Sequence, residues 1–160
     1  DHDGQRAAMI LAWASTHQQA ADLLLAQLLC PIGTVRAKAA EGLASRDGAK
    51  SLAALLSAAQ STDAEAVCGA VRALHRVIPL CAPLDDAAIQ TLTTLASGTV
   101  ASAELVKLCE IFGVIGPRAQ DAVPALRKLA SRTPIDIYDY HSRAISQAAS
   151  IALRSILPGS

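Results

Sequence analysis

The sequence predicts an all-α protein, a right-handed α-α superhelix of about nine helices. Apolar residues recur at three- and four-residue spacing along nearly the whole chain, which is the period of the α-helix. Hydrophobic residues make up 52% of the chain, but aromatic residues only 2%, and the strong helix formers Ala and Leu dominate. The same two-helix pattern also occurs four times. A β-sandwich would need many more β-branched and aromatic residues.

Short clusters of capping and helix-breaking residues divide the chain into these helices. The clusters lie at 15–17, 31–34, 47–48, 61–63, 79–86, 97–99, 116–117 and 131–136. Between them we expect one orphan helix at about 5–14, followed by four helix pairs at 18–46, 47–80, 85–115 and 117–157.

Two types of helix alternate within the pairs. The first, the A helix, carries large aliphatic residues such as Leu52, Leu55 and Leu56. The second, the B helix, carries an apolar residue, then small residues one turn later, then a large residue; the large residues are Leu43, Leu74, Phe112 and Leu153. Small residues allow two helix axes to approach closely. Because one pair cannot bury its own apolar surface, successive pairs are expected to stack.

Two stretches carry a family resemblance. Residues 35–43 read VRAKAAEGL and residues 115–126 read IGPRAQDAVPAL. Both resemble HEAT repeats, and in particular the short HEAT-like repeats common in bacterial proteins. The resemblance covers 18–157 and implies one solenoid domain over 1–160, in which Pro124 lies in the first turn of a helix capped by Asp121. Residues 79–84 and an insertion from Thr133 to Tyr140 depart from the repeat.

The resemblance implies a binding scaffold for a protein or peptide, because B helices line the concave surface of HEAT-like solenoids. The basic residues of the B helices are Arg36, Lys38, Arg72, Arg76, Lys107, Arg143 and Arg154, with His75 beside them. One interpretation is a mildly positive groove for an acidic peptide or a nucleic-acid backbone. The other is ordinary solvation with ion pairs, since acids share these helices, namely Glu41, Glu65, Glu104 and Glu110.

The insertion at 132–141 reads RTPIDIYDYH and concentrates both tyrosines of the chain. It is expected to cover the last repeat through Ile135, Ile137 and Tyr138, with its acids at a helix N-terminus. The alternatives are a partner-binding loop and a metal site, for which Asp136, Asp139 and His141 do not form a strong signature. Over the whole chain, the candidate partner-binding residues are Arg36, Arg72, Arg76, Lys107, Tyr138, Tyr140, His141 and Arg143.

Charge and hydropathy restrict the possible partners. The 14 basic and 14 acidic residues cancel, so no overall field attracts nucleic acid or anionic lipid. Apolar runs are far shorter than the ~20 residues that span a bilayer, and no secretory leader is expected. The chain does not begin with Met, and we expect it to be part of a larger protein. The apolar helix at about 5–14, with Trp13, is expected to be covered by a neighbour or by self-association.

The four cysteines form no CxxC pair. Zinc sites usually show two-residue ligand spacing, so no metal site is predicted. Cys68 and Cys109 lie within helical patterns and are predicted to be small buried hydrophobes. Free thiols favour a reducing compartment such as the cytoplasm, but the sequence does not specify the location.

No GxSxG, P-loop, GxGxxG or HExxH motif occurs, and we predict a non-catalytic protein with no cofactor. Two alternatives come from enzymes of similar repeat type. A DNA glycosylase of this type needs aromatic residues that stack on an extrahelical base, and these are few here. A bilin lyase needs a bilin pocket, and nothing in the sequence marks one.

Overall fold

The chain is helical in the computed structural model, which describes residues 5, 9, 20–28, 30, 32, 35, 39, 42–43, 48–60, 62, 64–81, 83–98, 100–133 and 139–158. No β-strand occurs among these residues, so the all-α prediction is confirmed for them. The helices are α1 (Ala20–Gln27), α2 (Gly48–Ala59), α3 (Ala64–Val77), α4 (Asp86–Ser97), α5 (Ser102–Ile115), α6 (Val123–Ala130) and α7 (Tyr140–Ile156). Two 3-10 helices, Ile78–Leu80 and Gly116–Ala122, lie between them.

The predicted number of about nine helices is not confirmed. Within the described part of the chain, six helices have packing contacts: α2 packs on α3 in one part, and α4 to α7 pack with one another in the other, while the short helix α1 precedes them. The predicted orphan helix at about 5–14 lies almost entirely outside the described residues. There, Gln5 and Met9 are helical, and Met9 is exposed.

The chain divides into two compact units, Asp1–Ala82 and Pro83–Ser160. The division falls in the segment 79–84, where the sequence departs from the repeat pattern. In that segment a 3-10 helix ends at Leu80, and Leu84 is buried before α4 begins.

In the first unit, α2 and α3 pack against each other as a helical hairpin. Leu55 of α2 and Val71 and Leu74 of α3 are fully buried, as the A and B patterns predict. The Ser51 hydroxyl donates a hydrogen bond to the backbone oxygen of Leu43 across 3.3 Å. This bond joins the start of α2 to the preceding buried helical residues.

In the second unit, α6 packs on α7, and α5 packs extensively on α7. A Cβ placed at Gly113 would lie 3.8 Å from the Cα of Ala152, and one at Gly116 would lie 3.9 Å from the oxygen of Ser155. The separation in the sequence between Gly113 and Ala152 equals that between Gly116 and Ser155. The helices α5 and α7 therefore run side by side in the same direction.

The B-helix residues predicted to be large and buried lie in the core of this unit, with one correction. Leu108 and Phe112 of α5 are fully buried. On α7, however, the predicted large core residue Leu153 is only half-buried, and the buried residues there are Ile145, Ala149, Ala152 and Ile156. The prediction is confirmed for Ile145 and Ala149 and is wrong by one residue at the last position, because Ala152, not Leu153, lies on the face that α5 covers.

The connection between α5 and α6 differs from the predicted tight turn at 116–117. It is the 3-10 helix Gly116–Ala122, and Gly116 caps α5 with φ 65 while its N–H donates to the Phe112 oxygen. The prediction that Asp121 is the N-cap is wrong, since α6 begins at Val123 and its N-cap is Ala122. Pro124 does lie in the first turn of α6, as predicted.

Replacing Gly116 by Ala tests the connection. The backbone there has φ 65 and ψ −139, a conformation that residues with a Cβ rarely adopt. We expect Gly116→Ala to lower the free energy of unfolding by about 1–3 kcal/mol in urea titrations. Gly98→Ala is the matched control, since Gly98 also caps a helix but has φ −89. Equal effects of the two substitutions would contradict the assigned backbone strain.

Candidate functional site

An open groove of about 470 Å³ lies between the two parallel B helices of the second unit. We call it the α5/α7 groove. Its lining comes from α5 through Val106, Cys109, Glu110, Gly113 and Val114, and from α7 through Ala144, Gln147, Ala148, Ile151, Ala152 and Ser155.

The groove follows from the small residues of the B-helix pattern. Gly113 on α5 faces Ala152 on α7, so the two backbones approach closely. Ala144 and Ala148 continue this row toward the start of α7. Because none of these side chains is large, the space above the contact stays unfilled.

Two large aliphatic side chains border the groove and face solvent. Val114 of α5 is 58% exposed and Ile151 of α7 is 48% exposed. Exposed apolar groups that lie together beside a groove are typical of an interaction surface. Neither side chain is needed to fill the core, which Phe112 and Ile145 already occupy.

Two arginines lie along the solvent-facing edge of α7. Arg143, Gln147 and Arg154 follow one another at four- and seven-residue spacing, which places them on one stripe of the helix. Gln147 lines the groove, and the two exposed arginines do not, so they lie beside it on the neighbouring face of α7, one toward each end. Neither guanidinium forms an ion pair with any residue in the described part of the chain.

The ionisable groups of the lining are Cys109 and Glu110. Burial raises the pKa of the Cys109 thiol to about 12, with the neighbouring Glu110 carboxylate acting in the same direction and Arg132 opposing it. The thiol is therefore neutral at physiological pH and behaves as an apolar group. This confirms the prediction for Cys109, whereas Cys68 is only half-buried.

Asp139, in the insertion at 132–141, lies at the start of helix α7. The Asp139 carboxylate accepts a hydrogen bond from the Ser142 backbone N–H across 3.0 Å and is the N-cap of α7. The expectation that an acid lies at a helix N-terminus is thus confirmed for Asp139. Among the described residues no three His, Cys, Asp or Glu side chains form a metal-binding group. Asp136 and the covering residues Ile135, Ile137 and Tyr138 lie outside the described residues.

The remaining predicted partner-binding residues are distributed over both units. Arg72 and Arg76 are exposed on α3 in the first unit, and each already has an interaction partner. In the second unit Tyr140, His141 and Arg143 are exposed in the first turn of α7. Arg36 lies outside the described residues.

Two charged residues of α5 have contacts or burial that the sequence does not predict. The Lys107 amine donates an exposed hydrogen bond to the Ala103 oxygen of its own helix, 3.4 Å away. Glu104 was expected on a solvated face. This expectation is wrong, since Glu104 is only 1% exposed in the first turn of α5.

Sequence reasoning missed the apolar residues of the site. Val114 and Ile151 are not among the residues predicted from the sequence, because those residues are charged or aromatic. The small residues in the B-helix pattern could have indicated the groove. Small residues that allow two helices to approach closely also leave an unfilled groove beside the contact.

Comparison of the chain with protein-family models, with curated proteins and with solved structures gave no match in any of the three searches. The resemblance to HEAT repeats therefore remains a prediction from the sequence. No helix in the described ranges has both the length and the apolar character required to cross a bilayer.

Replacing Asp139 distinguishes helix capping from metal binding. Asp139→Ala removes the acceptor for Ser142 and is expected to cost about 0.5–2 kcal/mol of stability in thermal or urea unfolding. Asp139→Asn keeps an acceptor and should retain most of the stability. If Zn²⁺ stabilises the wild-type chain and both variants lose that effect, the capping role is not the whole function of Asp139.

The buried thiol gives a prediction for pH dependence. Between pH 9 and 12 the Cys109 thiol ionises in the unfolded chain but stays protonated in the folded chain, because burial raises its pKa from 9.0 to about 12. The folded state therefore loses stability as the pH rises above 9. We expect urea titrations at pH 8 and pH 10 to show a smaller loss for Cys109→Ala than for the wild-type chain. Equal losses would contradict this account.

Proposed function

We propose that the chain is a HEAT-like helical-repeat solenoid, right-handed in its stacking, that acts as a non-catalytic protein-binding module. The recognition surface that we propose is the α5/α7 groove. The observation that carries the proposal is an apolar groove between two parallel B helices, bordered by the exposed side chains of Val114 and Ile151.

The repeat architecture is supported by the geometry of the second unit. Consecutive B helices pack side by side in the same direction through small residues, as stacked helix pairs require. The A helix α6 packs on α7 and belongs to the same layer. In such a stack each B helix presents one stripe to solvent, and neighbouring stripes form a continuous surface.

A protein partner fits this groove better than a nucleic acid. Nucleic-acid binding depends on many phosphate contacts by Lys and Arg, and single strands also stack on aromatic rings. The groove floor is apolar, and two arginines lie beside it. We expect a fluorescent DNA duplex to show no salt-sensitive binding at low ionic strength; such binding would favour the nucleic-acid alternative.

The chemistry of the groove also favours binding over catalysis. A thiol nucleophile acts as the thiolate, and the Cys109 thiol is protonated at neutral pH. Glu110, the other ionisable group of the lining, lies beside it and further disfavours the thiolate. We therefore propose no reaction at this groove.

Selection from a displayed library of random 16-residue peptides tests the function. Peptides enriched on the wild-type chain are expected to lose binding to Val114→Asp and to Ile151→Asp, because each change places a charge beside the apolar floor. Binding should be measured by fluorescence anisotropy. Leu80→Asp is the matched control, since Leu80 is 71% exposed and lies on the first unit.

Both groove variants are expected to fold, because the substituted side chains already face solvent. Circular dichroism spectra and urea midpoints of the three variants should match those of the wild-type chain. Peptides that bind all three variants as well as the wild-type chain would show that recognition occurs elsewhere. Failure to enrich any peptide over an unrelated helical control protein would overturn the proposed function.

A further inference from the structure

We infer that the occupant of the α5/α7 groove is an amphipathic α-helix of a partner protein, with an acidic residue near each end of its apolar face. This inference rests on the proposed function and specifies the chemistry of the partner. It is carried by the backbone chemistry of the groove, by the spacing of the exposed residues and by the positions of the charges.

The backbone chemistry of the groove favours a helical occupant. The backbone polar groups of α5 and α7 are paired within their own helices, so the groove wall offers no row of free donors and acceptors. An extended peptide on this apolar floor would leave its own N–H and C=O groups unpaired, which is costly. A helix pairs these groups internally and presents only side chains to the groove.

The exposed residues of both walls have the spacing that helix packing uses. On α7, Tyr140, Ala144, Gln147 and Ile151 follow at intervals of four, three and four residues, and Tyr140 is 67% exposed. On α5, the exposed residues Glu110 and Val114 follow at an interval of four, and the half-buried Lys107 lies three residues before Glu110. Alternating three- and four-residue spacing is the pattern along which helices pack nearly parallel. A third helix laid between the two stripes completes this packing.

The positions of the two arginines on α7 predict where the acidic residues of the occupant lie. Arg143 and Arg154 are about 16 Å apart along α7, because eleven residues of helix rise at 1.5 Å each. Two carboxylates about three turns apart on the partner helix would meet both guanidinium groups. Between them lie the apolar side chains of Val114 and Ile151 and the alanines that line the groove. The middle should therefore be apolar.

A second copy of this chain is disfavoured as the occupant. If two copies of α7 met in an antiparallel arrangement, Arg143 of one would approach Arg154 of the other. Like charges brought together in this way oppose association. In addition, the exposed stripe of α7 contains two polar positions, Gln147 and Ser155, at the groove.

Three synthetic helical peptides test the inference. They share one apolar face taken from the best peptide of the selection, and they carry Glu, Gln or Lys at two flanking positions eleven residues apart. We expect the Glu peptide to bind about tenfold more tightly than the Lys peptide in a low-salt buffer, with the Gln peptide between them. The difference should shrink as the salt concentration rises.

Charge reversal on the protein provides the matched test. In the double variant Arg143→Glu and Arg154→Glu, the order of the three peptides should invert. The control is Arg127→Glu with Lys128→Glu, two exposed basic residues on α6 that do not line the groove, and it should keep the wild-type order. Circular dichroism of the bound Glu peptide should show increased helicity.

The outcomes separate the two proposals. If the three peptides bind equally, or if the bound peptide stays non-helical, this inference is overturned while the groove remains a binding site. The same holds if the order does not change on charge reversal. If no peptide binds to the wild-type chain more tightly than to Ile151→Asp, the proposed function itself fails. Concentration-dependent sedimentation that Ile151→Asp abolishes would identify a second copy as the occupant instead.

Discussion

The close contact between α5 and α7 is the constraint on which the second unit depends. Gly113 faces the backbone of Ala152 without a side chain between them, so the two helices lie side by side along their whole shared length. The same contact produces the core below, where Phe112 and Ile145 are buried, and the furrow above. The buried core and the proposed binding surface thus result from the same helix contact.

The connection between these helices makes the parallel arrangement possible. Gly116 ends α5 in a conformation that residues with a Cβ rarely adopt, and the following 3-10 helix leads into α6. The 3-10 helix is followed by α6, and Asp139 is the N-cap of α7. A polar link also joins α6 and α7, since the Ser146 hydroxyl donates to the Ala130 oxygen across 2.7 Å. Gly116 thus ends α5, the Asp139 carboxylate fixes where α7 begins, and the Ser146 hydroxyl helps to hold α7 on α6.

The electrostatics of the groove support the binding role that we propose for it. Its floor contains a protonated thiol and alanine methyl groups, and its charges lie at the edge, where water screens them. Such charges contribute more to the choice and orientation of a partner than to the total affinity. Most of the affinity would come from the apolar area around Val114 and Ile151.

Among the described residues, the sequence by itself determined the helical class, several of the breaks between helices and many of the buried residues, because periodicity and capping act over a few neighbouring residues. It also determined that Pro124 lies in the first turn of a helix and that an acid lies at the start of α7. It did not determine that Glu104 is buried, that Lys107 folds back on its helix, or that Ala152 replaces Leu153 in the core. These depend on which face of each helix a neighbour covers. The groove belongs to the same group, since it exists only where two distant segments meet.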